Sequence, residues 1–373
     1  MKLRPLIAIV LVTVPACEET PPPAAPPLPS PPVAVAPAPQ IVVPADTGAP
    51  IPVGPVRLTA KPLPLPGVIG AAFLDYIVYE PAHARVWVPV GSTGSVDVLD
   101  VASGTYTRID GFKTVEREVR GKKRTMGPSA ATVGDGFVYI GNRASNEVCP
   151  IDVSTLEPGK CLKLASGTDG VAYVASAKEV WVTTPKDQTL TVLDASKPAA
   201  LVLKTTVKTN GAPEGYAVDE GHGLFFTNLE DKGGTAAIDV KTHKVKATWS
   251  PGCDADGPRG LVFDAPHGFV IVACTDHVQV LDAAHDGALL GKLDAGAGID
   301  NLDYVDGKLY VAAGKASKLT VASVDGKGQL AVVATGDSSD GARNAVADAS
   351  GNAYVADSAG GRLLAFAMPR TQQ

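Results

Sequence analysis

The sequence predicts an all-β fold, a closed ring of seven four-stranded sheets, on three observations. From about residue 55 onward, short β-branched runs are separated by Gly, Asp, Asn and Pro turns, with no helix-length amphipathic periodicity. The chain matches itself at a period of 40 to 45 residues, the spacing of propeller blades. One apolar triplet, usually with an aromatic residue, recurs once per period.

The elements follow in chain order. Lys2 and Arg4 precede an apolar run from Pro5 to Val14, too short for a membrane span, which needs about 20 residues. Residues 1–16 therefore read as a signal peptide. "VPAC" at its end resembles a bacterial lipobox, which implies lipidation of Cys17. Residues 17–54 are proline-rich; proline at this density removes backbone donors and favours polyproline II, so the stretch reads as a disordered tether. At about 3.1 Å per residue it reaches on the order of 100 Å. The expected location is extracytoplasmic, lipid-anchored to the bacterial cell envelope at the outer membrane or its periplasmic face.

Residues 55–373 form the expected propeller. The triplets are Val86-Trp87-Val88, Val138-Tyr139-Ile140, Val180-Trp181-Val182, Leu224-Phe225-Phe226, Val270-Ile271-Val272, Leu309-Tyr310-Val311 and Ala353-Tyr354-Val355. An aromatic at one second-strand position (Trp87, Tyr139, Trp181, Phe225, Tyr310, Tyr354) suits the wedge between blades, so these read as core. The last repeat has three strands before the chain stops, and "PVRLTAKPLPL", Pro55 to Leu65, precedes the first with no other place. It is expected to supply the missing outer strand and remove an open edge.

"YIGN" at 139, "WVTT" at 181, "FFTN" at 225, "YVAA" at 310 and "YVAD" at 354 resemble the YVTN-type repeat family of seven-bladed propellers. The resemblance implies the fold over nearly the whole domain. It says little about function, because a fold hosts many functions.

The same alignment places Asp75, Ser129, Asp169, Glu214, Arg259, Asp300 and Arg343 at one position, just before the innermost strand of each blade. There the chain crosses to the central channel, so these residues should circle one channel mouth. Two readings apply: the charges neutralise one another through Glu214–Arg259, Arg259–Asp300 and Asp300–Arg343, or they converge as a ligand site. Asp75 and Asp169 suit a hard cation such as a divalent metal, but Ser129 intervenes; no resident metal or cofactor is assigned. One crossover breaks the period: Asp75 to Ser129 spans 54 residues, the excess being Lys113 to Met126 with six basic and two acidic residues. It reads as a solvated loop or lengthened hairpin, or as a lid or anionic-partner contact presenting Lys122, Lys123 and Arg124.

Four cysteines remain beside Cys17, and their positions in the repeat pair Cys149 with Cys161 and Cys253 with Cys274. His83, His222 and His267 share the turn between first and second strands in three blades, which makes them turn residues and not metal ligands. There is no G-x-S-x-G elbow, no H-E-x-x-H and no phosphate-binding glycine loop. The net charge of −6 and the lack of a basic stripe argue against nucleic acid. The expected protein is a monomer that touches membrane only through its lipid. It acts as a non-catalytic binding module for an envelope protein or small anionic ligand through the mouth face. The alternative is a lactonase-type hydrolase using mouth carboxylates; Asn301 and Asn344 lie near the mouth, but no matched lactonase set is present.

Overall fold

The computed structural model describes residues 54–369 apart from residues 120 and 255. The expected signal peptide, Cys17 and the proline-rich stretch to residue 53 lie outside the described residues. Seven sheets form the blades, each opening on an innermost strand: Val78–Glu80, Pro128–Gly134, Val171–Val174, Pro213–Asp219, Leu261–Asp264, Ile299–Val305 and Asn344–Ala347. Within each blade the chain meanders outward through antiparallel neighbours. This is the seven-bladed β-propeller that the repeat predicts.

The core lies in the wedges between blades. Seven apolar clusters occur, one for each adjacent pair of blades. Trp87, Tyr139, Trp181 and Tyr310 are fully buried at the expected second-strand position. Blade four is displaced by one residue from the sequence alignment. Phe226, opposite Ala217 and Ala237, holds the position that Trp87 holds opposite Val78 and Val98. Phe225 faces the other way and stacks on Trp181 at 4.5 Å. Two adjacent phenylalanines make the sequence alignment ambiguous here; only the register separates them.

Closure uses the N-terminal segment, and in two pieces. Ala60–Pro64 pairs antiparallel with Arg362–Phe366 as the fourth strand of blade seven. Pro62 and Pro64 fall on alternate positions of this edge strand, where missing donors can face solvent. Just before it, Val56–Leu58 pairs parallel with blade six, Val56 against Ala334 and Leu58 against Gly336. Leu58 enters the wedge beside Phe366 and Ala334. A three-residue strand carries no periodicity, so the sequence did not show this second strap.

Both disulfides form as expected. Cys149–Cys161 links the third strand of blade two to the approach of its fourth, which is only Leu162–Lys163. Cys253–Cys274 ties the crossover into blade five to the end of that blade's second strand. The three turn histidines sit in separate blades. Nδ1 of His83, His222 and His267 donates to Glu80, Asp219 and Asp264, three residues earlier in each case.

Candidate functional site

The ring position is held by backbone contacts between blades. Tyr76 N–H donates to the Ser129 carbonyl, Gly215 N–H to Arg259, Gly260 N–H to Asp300 and Asn301 N–H to Arg343. Between blades four and five the approach is close enough to require glycine after the ring position. A Cβ on Gly215 would lie 2.3 Å from the Gly260 Cα, closer than any packed side chain permits.

The charges at this mouth pair differently from the sequence expectation. Arg343 Nε donates to Asp300 Oδ2 at 3.2 Å, as expected, and its Nη2 lies 3.8 Å from Asp75. Arg259 pairs with neither Glu214 nor Asp300 but with Glu230. The reason is the path of "DGPRG". Gly257, at φ +72°, lets the crossover run against the Glu230 backbone, and a Cβ there would lie 2.3 Å from the Glu230 carbonyl oxygen. Ser129 is fully buried, and its hydroxyl has no partner among the described residues. Its place in the charge pattern is taken by Arg143, which bridges Asp75 at 2.9 Å and Asp169 and lies over the Phe73 ring.

Arg143 and Glu230 were missed by sequence reasoning, yet they share one place in the repeat. Each follows the second strand of its blade, and its N–H donates to the carbonyl two residues before the ring residue, Gly127 and Ala212 respectively. Gly91 and Gly314 make the same bond to Phe73 and Gly298. In the other blades this turn position is Gly91, Pro185, Thr275, Gly314 or Ser358, so these two charges stand alone on it. Reading the residue after each second strand would have found both.

The resulting mouth contains Asp75, Asp169, Glu214, Glu230 and Asp300 against Arg143, Arg259 and Arg343. Glu214 alone among these carboxylates has no cation within salt-bridge distance among the described residues. Burial, then Asp300, Asp75 and Glu230, push its pKa up to about 8, and Arg143 only partly opposes them. Burial also raises the Asp300 carboxyl, against the pull of Arg343.

The irregular crossover is a two-stranded hairpin, Val115–Val119 paired with Lys122–Met126. Between it and the ring lies a cleft of about 790 Å³. Lys123 and Arg124 of the hairpin and Arg343 of the ring line it, with Asp340 the one acidic residue in its wall. Lys122 pairs with Val119 beside the hairpin turn. Two expected groups, ring and insert, thus share one concave surface.

No family model matches the chain, and no curated protein sequence does. Several solved structures are similar in fold. Hydrazine synthase of Kuenenia stuttgartiensis superposes with a TM-score of 0.65 at 14% identity, covering 81% of this chain and 98% of that one. A streptogramin B lyase gives 0.65 at 11%, covering 83% and 97%. The WD40 repeats of RRP9 give 0.64 at 10%, covering 82% and 96%. At these identities the likeness is one of fold, and the chain is a seven-bladed β-propeller.

Proposed function

We propose that this protein is an extracytoplasmic, lipid-anchored propeller of the YVTN-type repeat class that binds an anionic ligand or an acidic segment of an envelope protein on its mouth face, without catalysis. The observation that carries the reading is the cleft of about 790 Å³ lined by Lys123, Arg124 and Arg343. Its size is that of ligand pockets, about 300–1,000 Å³. Guanidinium groups suit planar, bidentate recognition of carboxylate or phosphate. The test is Lys123→Glu with Arg124→Glu, assayed with pyrophosphate and an oligoglutamate peptide. Binding should fall at least tenfold, about 1.4 kcal/mol, with unchanged melting. Equal binding by variant and wild type would remove the cleft from the function. The anchor is tested separately: intact mass of membrane-extracted protein should carry a diacylglyceryl group that Cys17→Ser lacks.

A second reading rests on Glu214, whose pKa near 8 supplies a group that titrates near neutrality in a ring without histidine. General bases are tuned in this way. A lactonase-type hydrolase would use it to activate water. Turnover of a lactone panel, lost by at least about 100-fold in Glu214→Gln, would favour this reading over binding alone.

A further inference from the structure

Below the ring the central channel holds a second, half-open cavity of about 300 Å³ that the mouth chemistry does not use. It extends from Tyr76 and Tyr216, stacked 5.7 Å apart, to Pro81 and Val305 at the far turns of the innermost strands. Its wall contains no lysine, arginine or histidine, and one carboxylate, Asp303. Three tyrosines, Tyr76, Tyr79 and Tyr216, also line it.

Asp303 is more than its structural task requires. Its Oδ2 accepts the Ala347 N–H at 2.6 Å, tying blade six to blade seven, and its Oδ1 accepts the Tyr304 N–H at 2.9 Å. The equivalent residue of blade two, Thr132, makes the same kind of tie with a neutral hydroxyl, accepting from Tyr173 N–H. In the other five blades this position, opposite the second-strand triplet centre or, in blade four, opposite Phe226, is Val78, Ala172, Ala217, Val262 and Val346. The tie therefore needs no charge. No salt bridge reaches Asp303 among the described residues, and burial pushes its pKa up to about 6 despite both amide bonds. Asn344, 2% exposed, closes the wall on the ring side, its Nδ2 donating to Asp75.

We propose that this cavity binds a small organic ammonium ion, with Asp303 as counter-ion and the tyrosines of the wall, Tyr76, Tyr79 and Tyr216, as its aromatic surroundings. Aromatic faces attract such cations, most strongly when water is excluded. An anion would find no positive group in the wall. A hard metal ion needs about six oxygen ligands, carboxylates foremost, and the wall has one carboxylate, whose two oxygens already accept the Ala347 and Tyr304 amides. The small volume, at the lower limit for ligand pockets of about 300 Å³, sets the size class near that of choline.

The test titrates the full chain with choline by calorimetry and tyrosine fluorescence, beside 3,3-dimethylbutan-1-ol, which has the same shape without charge. Choline should bind one to one, and the neutral analogue at least tenfold more weakly. Asp303→Asn should lose at least tenfold in choline affinity with the fold intact by near-ultraviolet circular dichroism. If that variant does not fold, Asp303→Thr, which copies the tie of blade two, serves instead. Affinity should also fall about tenfold from pH 7 to pH 5, as Asp303, near 6, takes up its proton. The proposal fails if choline, tetramethylammonium and butylammonium all show no saturable binding up to roughly 10 mM. It fails equally if the neutral analogue binds as well as choline, or if the folded Asp303 variant keeps wild-type affinity.

Discussion

At the mouth of the channel, Arg143, Arg259 and Arg343 are shared among buried or half-buried carboxylates, so that Asp75, Asp169, Glu230 and Asp300 each have a guanidinium partner. A few residues deeper along the same strands, Asp303 is enclosed by tyrosine and aliphatic walls with no cation at all. The two ends of one channel thus handle buried charge in opposite ways. Where the protein supplies its own counter-ions, the charge serves the architecture, because removing one partner strands the other in a low-dielectric site. Where it supplies none, the charge is left for something from outside. Glu214 belongs by position to the first region and by chemistry to the second.

The sharpest way to break this comparison is Arg143→Gln. It strands Asp169 and leaves Asp75 only the longer contact to Arg343, and breaking a buried pair costs about 3–5 kcal/mol. Urea denaturation at pH 7 should show that loss at constant m-value. A loss below about 1 kcal/mol, the range of exposed pairs, would mean the mouth is solvated and its pairing incidental.

Glu214→Gln comes next, and its sign is opposite. With the folded pKa raised to about 8, Glu214 favours the folded state fully below its unfolded pKa. That contribution is lost as pH rises through 8. The variant should match wild type near pH 4 and exceed it at pH 9 by about 1–3 kcal/mol, the cost of an unsatisfied buried group. Lower stability of the variant at pH 9 would reveal a partner for Glu214.

Asp303→Asn follows the same logic with a smaller amplitude. Its folded pKa near 6 places the decline of wild-type stability between about pH 4 and pH 6. Without ligand the variant should lose that decline. The roughly 3 kcal/mol that the shift implies is offset by the loss of one of the two amide bonds from Ala347 and Tyr304, since an asparagine presents only one oxygen. That leaves the variant about 1 kcal/mol more stable at pH 7. Thermal melting across pH 4–7 reads this directly. An unchanged slope would show that Asp303 is not the group titrating there.

The smallest effect on stability belongs to Arg259→Gln with Arg343→Gln. In each of these pairs one partner is about a third or more exposed, Glu230 at 34% and Arg343 at 44%, whereas Arg143 and its two aspartates are all below a quarter. Each of the two arginines should therefore contribute at most about 1 kcal/mol. Retention of oligoglutamate binding together with a loss of several kcal/mol would make these two purely architectural.

Much of this was legible beforehand because a propeller repeats its physics. Each blade must fill a wedge and start an innermost strand at the mouth. Residues such as Trp87 and Asp75 therefore recur at fixed spacing and can be aligned without coordinates. The disulfide partners of Cys149 and Cys253 followed from the same spacing. Arg143 and Glu230 escaped because they lie on a turn where the other blades carry Gly, Pro, Thr or Ser, so no column of charges marked it. The pairing of Arg259 escaped because side-chain reach depends on how the crossover at Gly257 folds against the neighbouring turn.

By itself, the sequence determined the number of blades, the apolar wedges, the closing strand, both disulfides and the position of the ring. All of these depend on periodic burial and on local pairing, which a one-dimensional pattern records. Only the tertiary structure decided which carboxylate meets which arginine, that the hairpin insert faces Arg343 across a cleft, and that Asp303 is enclosed without a counter-ion. Those are relations between blades far apart in the chain. Electrostatic energy depends on distances and burial that closure of the ring creates.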